Sequence, residues 1–504
     1  MRRQILDIGR DSAWYMLATV SSSLTSFIAV PIFTRLLVPS EYGVYSLVAG
    51  TILLVGNLGS IWLAISIVRF YPAYEKEQRI DEFYSTIYHY VPHLLAAILL
   101  VALPLVALFL PLGKNRAVIC LGIAVFPLFW LFRVSQGLSR ARRLSKFYAI
   151  QAMLVDAGRY LVGAALVAWV GLGVTGIFVG WFGALVLVII MQMLVLSFWR
   201  YFRWDKYSGE LEHEFLHFGV PLIAVNVLGS ALSMADRYIV GAFKGSSQVG
   251  LYAVVYSLTT AIVVFLISFI ELGAIPVVTS TYENEGEKQA VALIRTLTRY
   301  FLLVMVPSMV GMWVLRHRIM VVITSLKYIP AQNVVLPLVL GISIGEFGWL
   351  PGIAFNLKKR TRLLVWPVLA AAVFNIVLNF ILVPFYGYKG AAWATLFSYV
   401  LYFIVAVILA RRLMKWDFPW DMFFKTGAAA ALMGAALYGL NRLHIRGVGS
   451  LALLIVIGTG IYVSTLLAFG GFSREELTSV FALGKRLPLV RNLAGRKGKR
   501  GGDG

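Results

Sequence analysis

The stretch Arg35–Tyr45 reads RLLVPSEYGVY, and a related stretch, RYIVGAFKGSSQVGLY, occupies Arg237–Tyr252 in the second half of the chain. Both end in Ser, two further residues, Gly, an aliphatic residue and Tyr, and these endings are 207 residues apart. A second pair, GVTG at Gly173–Gly176 and GYKG at Gly387–Gly390, is 214 residues apart. Two repeats at nearly the same offset predict two homologous halves.

The composition predicts an all-α integral membrane protein. The chain has 504 residues, of which 60% are hydrophobic and only 13% charged, and its mean hydropathy is +0.82. Soluble domains carry about 25% charged residues, so this chain needs lipid as its solvent. The one cysteine, Cys120, excludes an internal disulfide and a cysteine-based metal site. In membrane proteins, paired homologous halves are typical of transporters with the pathway between the halves.

Hydropathy predicts about fourteen transmembrane helices, each near the ~20 residues that a bilayer requires. We place them at 12–33, 43–66, 88–111, 117–135, 149–169, 174–197, 217–236, 249–271, 299–315, 331–354, 363–384, 391–410, 421–440 and 449–470. Six spans fall in each half, and two more follow the second half.

These spans divide the chain into five segments. We expect an N-terminal lobe at 1–198, a cytoplasmic linker at 199–216 and a C-terminal lobe at 217–410. Spans 13 and 14 occupy 411–470. The last segment, 471–504, is rich in Gly and Arg without periodicity, which predicts a basic, disordered cytoplasmic tail.

The net charge of +22 is explained by topology rather than by a nucleic-acid partner. With the N-terminus inside, Lys and Arg favour the inner loops over the outer ones by about three to one, the bias known as positive-inside. An even number of spans then places both termini in the cytoplasm. Arg2, Arg3 and Arg10 precede the first span without a cleavage site, so we expect a retained first helix.

Motifs in order along the chain resemble those of a known family. They are FIAVPIFTRLLVPSEYGVYSLV at 27–48, FGVPL at 218–222, DRYIVG at 236–241, VGLY at 249–252, and N-x-x-x-N followed by P-x-x-G-x-x-G-A-A within 375–392. This set resembles the polysaccharide transporters (Wzx-like oligosaccharide flippases) of the multidrug/oligosaccharidyl-lipid/polysaccharide (MOP) exporter superfamily.

The resemblance implies two pseudo-symmetric six-helix lobes that form a V, open alternately to each side, plus two C-terminal helices. It implies a flippase that moves an undecaprenyl (isoprenoid) pyrophosphate-linked oligosaccharide across a bacterial or archaeal cytoplasmic membrane for polysaccharide export. The implied partners are the lipid-linked oligosaccharide and membrane lipids, with a polysaccharide polymerase or glycosyltransferases as further candidates. The extra helix pair is similar in number to that of the lipid II flippases, where it flanks a lipid groove.

The sequence offers no credible catalytic site and no cofactor-binding motif, so we expect a transporter and not an enzyme. A phosphate-binding G-x-x-x-x-G-K-[ST] loop does not occur in the sequence. Energy for transport would therefore come from a proton or sodium gradient, from the substrate gradient or from a partner.

Ionisable side chains at membrane depth are costly and are candidates for function. Asp156 and Arg159 are three residues apart on the fifth span and share a helix face. Because the Arg fork matches phosphate oxygens, we expect this pair, with Asp156 tuning Arg159, to meet the substrate pyrophosphate. The alternative is an internal ion pair that holds the helices together.

Polar residues on other spans extend the candidate cavity. Arg35 and Arg237 end spans one and seven, and Asn375 and Asn379 share a face of span eleven. We consider all four as substrate contacts, against an interfacial anchor for Arg35, helix capping or interhelical pairing for Arg237, and interhelical hydrogen bonds for the asparagines. Asp236 is a candidate for gating, with helix capping or interhelical pairing as its alternative.

Glu346 is the only carboxylate deep in span ten. Intramembrane carboxyl groups serve in proton relays, so Glu346 is our candidate for coupling to protons or sodium, against a structural acid satisfied by its neighbours.

A different function is suggested by His213-Glu214-Phe215-Leu216-His217, which matches the H-E-x-x-H pattern of zinc metalloproteases. A catalytic zinc also needs a third ligand and an open coordination position. The segment directly precedes FGVPL at 218–222, so we interpret it as an amphipathic lead-in to span seven and expect no metal. An intramembrane zinc protease stays an alternative, as does a drug/cation antiporter of the same superfamily.

Overall fold

The structure is a computed structural model. It describes residues 2–89, 112–197, 203–415, 417–442 and 447–472, and the isolated positions 92, 93, 96, 100, 200 and 201. Most of the expected third span at 88–111, and the tail beyond residue 472, lie outside the described residues.

The described residues form helices joined by short turns, with no strand among them. Residues 80–89 are helical, and the elements with complete bounds are α1 (Arg2–Leu36), α2 (Pro39–Lys76), α3 (Leu112–Ala141), α4 (Ser145–Ala157), α5 (Gly163–Val170), α6 (Gly173–Leu196), α7 (Gly209–Lys244), α8 (Ser246–Glu285), α9 (Glu287–Val314), α10 (Arg316–Ile323), α11 (Val335–Phe347), α12 (Trp349–Leu357), α13 (Val365–Tyr386), α14 (Tyr388–Leu413), α15 (Trp420–Asn441) and α16 (Val448–Ala468).

Twelve segments within the described residues are long and apolar enough to cross a membrane. This confirms the all-α, multi-pass architecture. Of the fourteen expected spans, the two that are not among the twelve are 88–111, most of which lies outside the described residues, and 217–236, which lies within α7. The full count of fourteen stays a prediction.

Two spans are interrupted at glycines. The fifth span consists of α4 and α5 joined by a π-helical turn, Gly158–Val162. A Cβ on Gly158 would overlap Ala184 and approach the Gly180 carbonyl oxygen, so the turn forms where two helices are in close contact. Such turns are frequent at functional sites, and this one carries Arg159. The tenth span divides into α11 and α12 at Gly348.

The sequence repeat forms a symmetric contact in the fold. Near the start of α2, a Cβ on Gly43 would overlap the carbonyl oxygen of Ser246, and near the start of α8 a Cβ on Gly250 would overlap the carbonyl oxygen of Pro39. Equivalent residues of the two halves therefore pack backbone against backbone, which only glycine permits. This contact explains why the Ser-x-x-Gly pattern occurs in both copies.

The chain forms two compact units. The first comprises Met1–Leu297 and Arg316–Asp417, and so contains both copies of the repeat. The second comprises Thr298–Leu315 and Phe418–Gly504. Within the second unit, the Tyr462 hydroxyl donates a hydrogen bond to the Leu303 carbonyl oxygen at 3.0 Å, which joins α16 to α9.

Within the first unit, the linker between the halves is attached to the N-terminal half. The backbone N–H of Arg203 donates to the Ser85 hydroxyl at 2.8 Å, and that of Ser208 donates to the Thr86 hydroxyl at 3.1 Å. Phe215 is buried in the same apolar cluster as residues of α2 and α3. The first turns of α7 therefore belong structurally to the N-terminal half.

Gly43→Ala is expected to destabilise the protein by roughly 1–3 kcal/mol, because its Cβ would meet a backbone carbonyl that cannot turn aside. Thermal unfolding in detergent would measure the effect. Gly183→Ala is the matched control, since a Cβ at this helical glycine meets nothing within 4 Å. Equal melting temperatures for the two variants would contradict the close contact.

Candidate functional site

A cavity of about 410 Å³ in the first unit is lined by residues of both halves. The N-terminal half contributes residues of α1, α2 and the fifth span, and the C-terminal half contributes residues of α7 and α8. The polar and aromatic side chains on its wall include Ser22, Ser23, Ser26, Phe33, Tyr42, Tyr45, Asp156, Arg159, Tyr160, Arg237, Tyr256, Ser257 and Thr260. The expected pair Asp156 and Arg159 does face one cavity.

Arg159 is held by aromatic residues rather than by a carboxylate. It is 9% exposed, and its Nε and Nη2 donate to the Tyr45 hydroxyl at 3.1 and 2.8 Å. Its guanidinium carbon lies 4.2 Å from the centre of the Trp181 ring and 5.0 Å from that of Tyr160. Such cation–π contacts partly replace the solvation that burial removes. Asp156, one turn away, accepts a hydrogen bond from Ser22 and does not form an ion pair with Arg159.

Arg237 lines the same cavity from the other half. It is 8% exposed, its Nη1 donates to the Met234 sulfur at 3.0 Å, and its guanidinium carbon lies 4.9 Å from the centre of the Tyr256 ring. Its Nε is buried without a hydrogen-bond partner. Within the described part of the chain, neither Arg159 nor Arg237 has a carboxylate partner. Two buried cations with unused donors thus share one cavity.

Asp236 is the centre of a buried polar cluster behind the cavity wall. It is 0% exposed and accepts hydrogen bonds from the hydroxyls of Tyr252 at 2.5 Å and Thr395 at 2.6 Å, and from Nδ2 of Asn379 at 2.7 Å. Asn379 also donates to the backbone carbonyl of Asn375 at 2.9 Å. The cluster links α7, α8, α13 and α14. Asn375 and Asn379 are 0% exposed and do not line this cavity.

Arg35 lies apart from the cavity. It is exposed, and its guanidinium donates to the carbonyl oxygens of Pro31 at 3.3 Å and Val322 at 3.0 Å. It is the penultimate residue of α1, whereas Arg237 is seven residues before the end of α7. Its position near the end of its helix explains why the structure does not bring it to Arg159.

A second cavity of about 450 Å³, among α7, α8 and α11–α14, contains the coupling candidate Glu346. Glu271 of α8 lines it as well, and sequence reasoning missed this residue. A lone carboxylate near the end of an apolar span was the available signal. Neither carboxylate has a hydrogen bond or ion pair with another described residue. Tyr256 and Thr260 line both cavities, so α8 forms a shared wall.

The H-E-x-x-H segment lies in the first turns of α7. The rings of His213 and His217 are stacked, with centroids 6.3 Å apart. Among the described residues, no group of three or more His, Cys, Asp or Glu side chains could hold a metal ion. The geometry there gives no support to a zinc site.

Comparison with known proteins identifies the family. The sequence model described as polysaccharide biosynthesis protein matches residues 8–282, more than half of the chain. The chain belongs to this family. A second model, MatE, matches residues 221–381. The matches confirm the resemblance to the MOP superfamily that the motifs indicated.

A curated relative of this family member is the probable low-salt glycan biosynthesis flippase Agl15 of Haloferax volcanii. It is 22% identical over 244 residues, which are 48% of this chain and 50% of the relative, so the chain spans about half the length of the relative it matches.

Solved structures share the fold. A lipid II flippase, MurJ, in an inward closed conformation has a TM-score of 0.71 at 15% identity, covering 90% of this chain and 97% of that one. An inward-facing multidrug resistance transporter of the MATE family in the MOP superfamily has a TM-score of 0.65 at 14% identity, covering 77% and 94%.

Asp236→Ala is expected to destabilise the protein by about 3 kcal/mol, because the Asn379 amide and the Tyr252 and Thr395 hydroxyls each lose a buried hydrogen bond to the carboxylate. Tyr252→Phe removes one donor and should cost about 1 kcal/mol. Thermal unfolding in detergent would compare them. Two variants with the stability of the parent would show that the cluster does not hold the four helices together.

Proposed function

We propose that the protein is a flippase that moves an isoprenoid pyrophosphate-linked oligosaccharide across the cytoplasmic membrane of a bacterium or archaeon. Membership of the polysaccharide biosynthesis protein family supports this proposal. The fold, shared with a lipid II flippase, and the curated relative named as a glycan biosynthesis flippase support it further.

The observation that carries the proposal is the pair Arg159 and Arg237 in one cavity. Both are buried, and neither has a carboxylate partner among the described residues. An unpaired cation in an apolar helix bundle is costly, and a bound anion would offset that cost. Arg forks form paired, charge-assisted hydrogen bonds with phosphate oxygens. A pyrophosphate, with oxygens on two phosphorus atoms, would accept from both arginines at once.

In this mechanism, the cavity takes the polar head of the substrate while the isoprenoid chain stays in the bilayer. The arginines lie on opposite halves, so a bound pyrophosphate would join the halves and favour their coming together. Alternating access then requires the halves to separate at one end and close at the other. The Gly43–Gly250 contact supplies a closely fitting closure at the end where α2 and α8 begin.

Glu346 and Glu271 are the proposed site of energy coupling. Both line the second cavity, where a proton or a sodium ion would neutralise part of their charge. Because Tyr256 and Thr260 line both cavities, occupancy of one cavity can influence the other through α8. Any such influence is reciprocal by thermodynamic necessity.

The topology and partners belong to the same proposal. Both termini would lie in the cytoplasm, where the basic charges of the tail sequence would favour anionic lipid headgroups. A polymerase outside, or glycosyltransferases inside, would consume or supply the lipid-linked glycan.

Arg159→Gln is expected to lower flipping of a fluorescent undecaprenyl pyrophosphate-linked oligosaccharide in proteoliposomes by at least about tenfold, because the anion loses charge-assisted hydrogen bonds. Arg159→Lys keeps the charge without the fork and should fall between Arg159→Gln and the parent. Arg35→Ala is the matched control outside the cavity and should flip at the parent rate.

Flipping by Arg159→Gln at the parent rate would contradict the anion site. Transport of cationic dyes by the parent, without any flipping of the glycolipid, would favour the drug/cation antiporter.

Glu346→Gln is expected to abolish the response of flipping to an imposed proton or sodium gradient, because the glutamine side chain can neither ionise nor bind a cation strongly. Flipping by parent liposomes should change several-fold with the coupling gradient. Glu283 is an exposed carboxylate on the same helix as Glu271, and the control variant Glu283→Gln should respond like the parent. A parent that is indifferent to both gradients would remove Glu346 as the coupling residue.

A further inference from the structure

The carboxyl group of Asp156 is the one feature of the arginine-containing cavity that pyrophosphate binding does not explain. One of its oxygens accepts a hydrogen bond from Ser22, and the other has no hydrogen-bond partner among the described residues. Both residues lie on the cavity wall. An acidic group there repels a phosphate, so a different group of the ligand must account for the carboxyl group in this cavity.

The cavity has two chemically different ends. Arg159 donates a hydrogen bond to the Tyr45 hydroxyl, and the centre of the Tyr45 ring lies 5.6 Å from that of Phe33 on α1. Asp156 instead accepts a hydrogen bond from Ser22, which also lies on α1. Ser22 and Phe33 are eleven residues apart, which corresponds to about 16 Å of helix rise. The Asp156 carboxyl group therefore lies nearer the Ser22 end of the cavity, and the Arg159 guanidinium, one turn further along the fifth span, lies nearer the Phe33 end.

The end with Asp156 is rich in hydroxyl groups. Ser22, Ser23 and Ser26 of α1 line it, and neither Ser23 nor Ser26 has a hydrogen-bond partner among the described residues. Ser hydroxyls both donate and accept, and a carboxylate only accepts. This combination suits a ligand with several neighbouring O–H or N–H donors and no negative charge.

We propose that Asp156, with Ser23 and Ser26, forms a subsite for the sugar attached to the pyrophosphate, and that it selects a neutral sugar over a carboxylated one. The inference rests on the proposed function, because it takes Arg159 and Arg237 as the pyrophosphate site. The head group then lies along α1, with its phosphates towards Phe33 and its first sugar towards Ser22. Asp156 accepts from the sugar hydroxyls or amide and repels a uronic acid.

The test compares three soluble probes on the purified full-length chain in nanodiscs, by isothermal titration calorimetry. They are farnesyl pyrophosphate, the same lipid pyrophosphate bearing N-acetylglucosamine, and the same bearing glucuronic acid. The parent should bind the N-acetylglucosamine probe about tenfold more tightly than farnesyl pyrophosphate, and more tightly than the glucuronic acid probe.

Asp156→Asn should lose most of this preference. Its affinity for the N-acetylglucosamine probe should fall, while its affinity for farnesyl pyrophosphate should stay equal or rise, since a negative charge near the arginines is gone. Asp11→Asn is the matched control. Asp11 accepts a hydrogen bond from Ser145 at 2.6 Å and so also joins α1 to α4, but outside the cavity. Like the Asp156–Ser22 bond, it pairs an aspartate with a serine 134 residues away in the sequence.

The outcomes separate the two proposals. No binding of farnesyl pyrophosphate to the parent would contradict the arginine site, and with it the sugar subsite. Equal affinity of the parent for all three probes, or an equal loss for all of them in Asp156→Asn, would overturn the sugar subsite alone. If Asp156→Asn does not fold, the parent's discrimination among the probes and its loss in the Ser23→Ala/Ser26→Ala double variant decide the question.

Discussion

Two arginines, Arg159 and Arg237, are buried without acidic partners in the described part of the chain, and the cavity is built around them. A guanidinium in an apolar helix bundle is costly, and here the cost is reduced by a hydroxyl and by ring faces. Tyr45, Tyr160 and Trp181 surround Arg159, and Tyr256 lies under Arg237. These aromatic contacts leave the cationic charge in place, so both arginines remain positively charged groups on the cavity wall.

The arrangement of the halves follows from a different constraint, the close approach of two backbones. Gly43 and Gly250 allow α2 and α8 to meet where larger residues would hold them apart. This contact places residues of α2 and α8 on the wall of one cavity, together with α1, α7 and the fifth span. The Asp236 cluster then fixes α7 against α8, α13 and α14. Because Arg237 follows Asp236 directly in α7, the same cluster also fixes the backbone position of Arg237.

Local patterns in the sequence predicted what local geometry decides. Hydropathy predicted the all-α membrane architecture, and Asp156 and Arg159, three residues apart in the sequence, both line one cavity. Contacts between distant helices could not be read in this way. The bond between Asp156 and Ser22, the shared cavity of Glu346 and Glu271, and the complete burial of Asn375 and Asn379 all depend on how helices pack. A single sequence carries no periodic signal for such packing.

Arg35 and Arg237 show how two copies of one motif can acquire different roles. Each arginine begins its copy; Ser40 comes five positions after Arg35, whereas Ser247 comes ten positions after Arg237. Relative to the helix end, Arg237 lies six residues further back than Arg35, about 9 Å along the axis. Because of this displacement, Arg35 donates to backbone carbonyl oxygens near the end of α1, whereas Arg237 lines the cavity. Sequence symmetry therefore predicted the pair of halves, while the longer second copy decided which arginine lines the cavity.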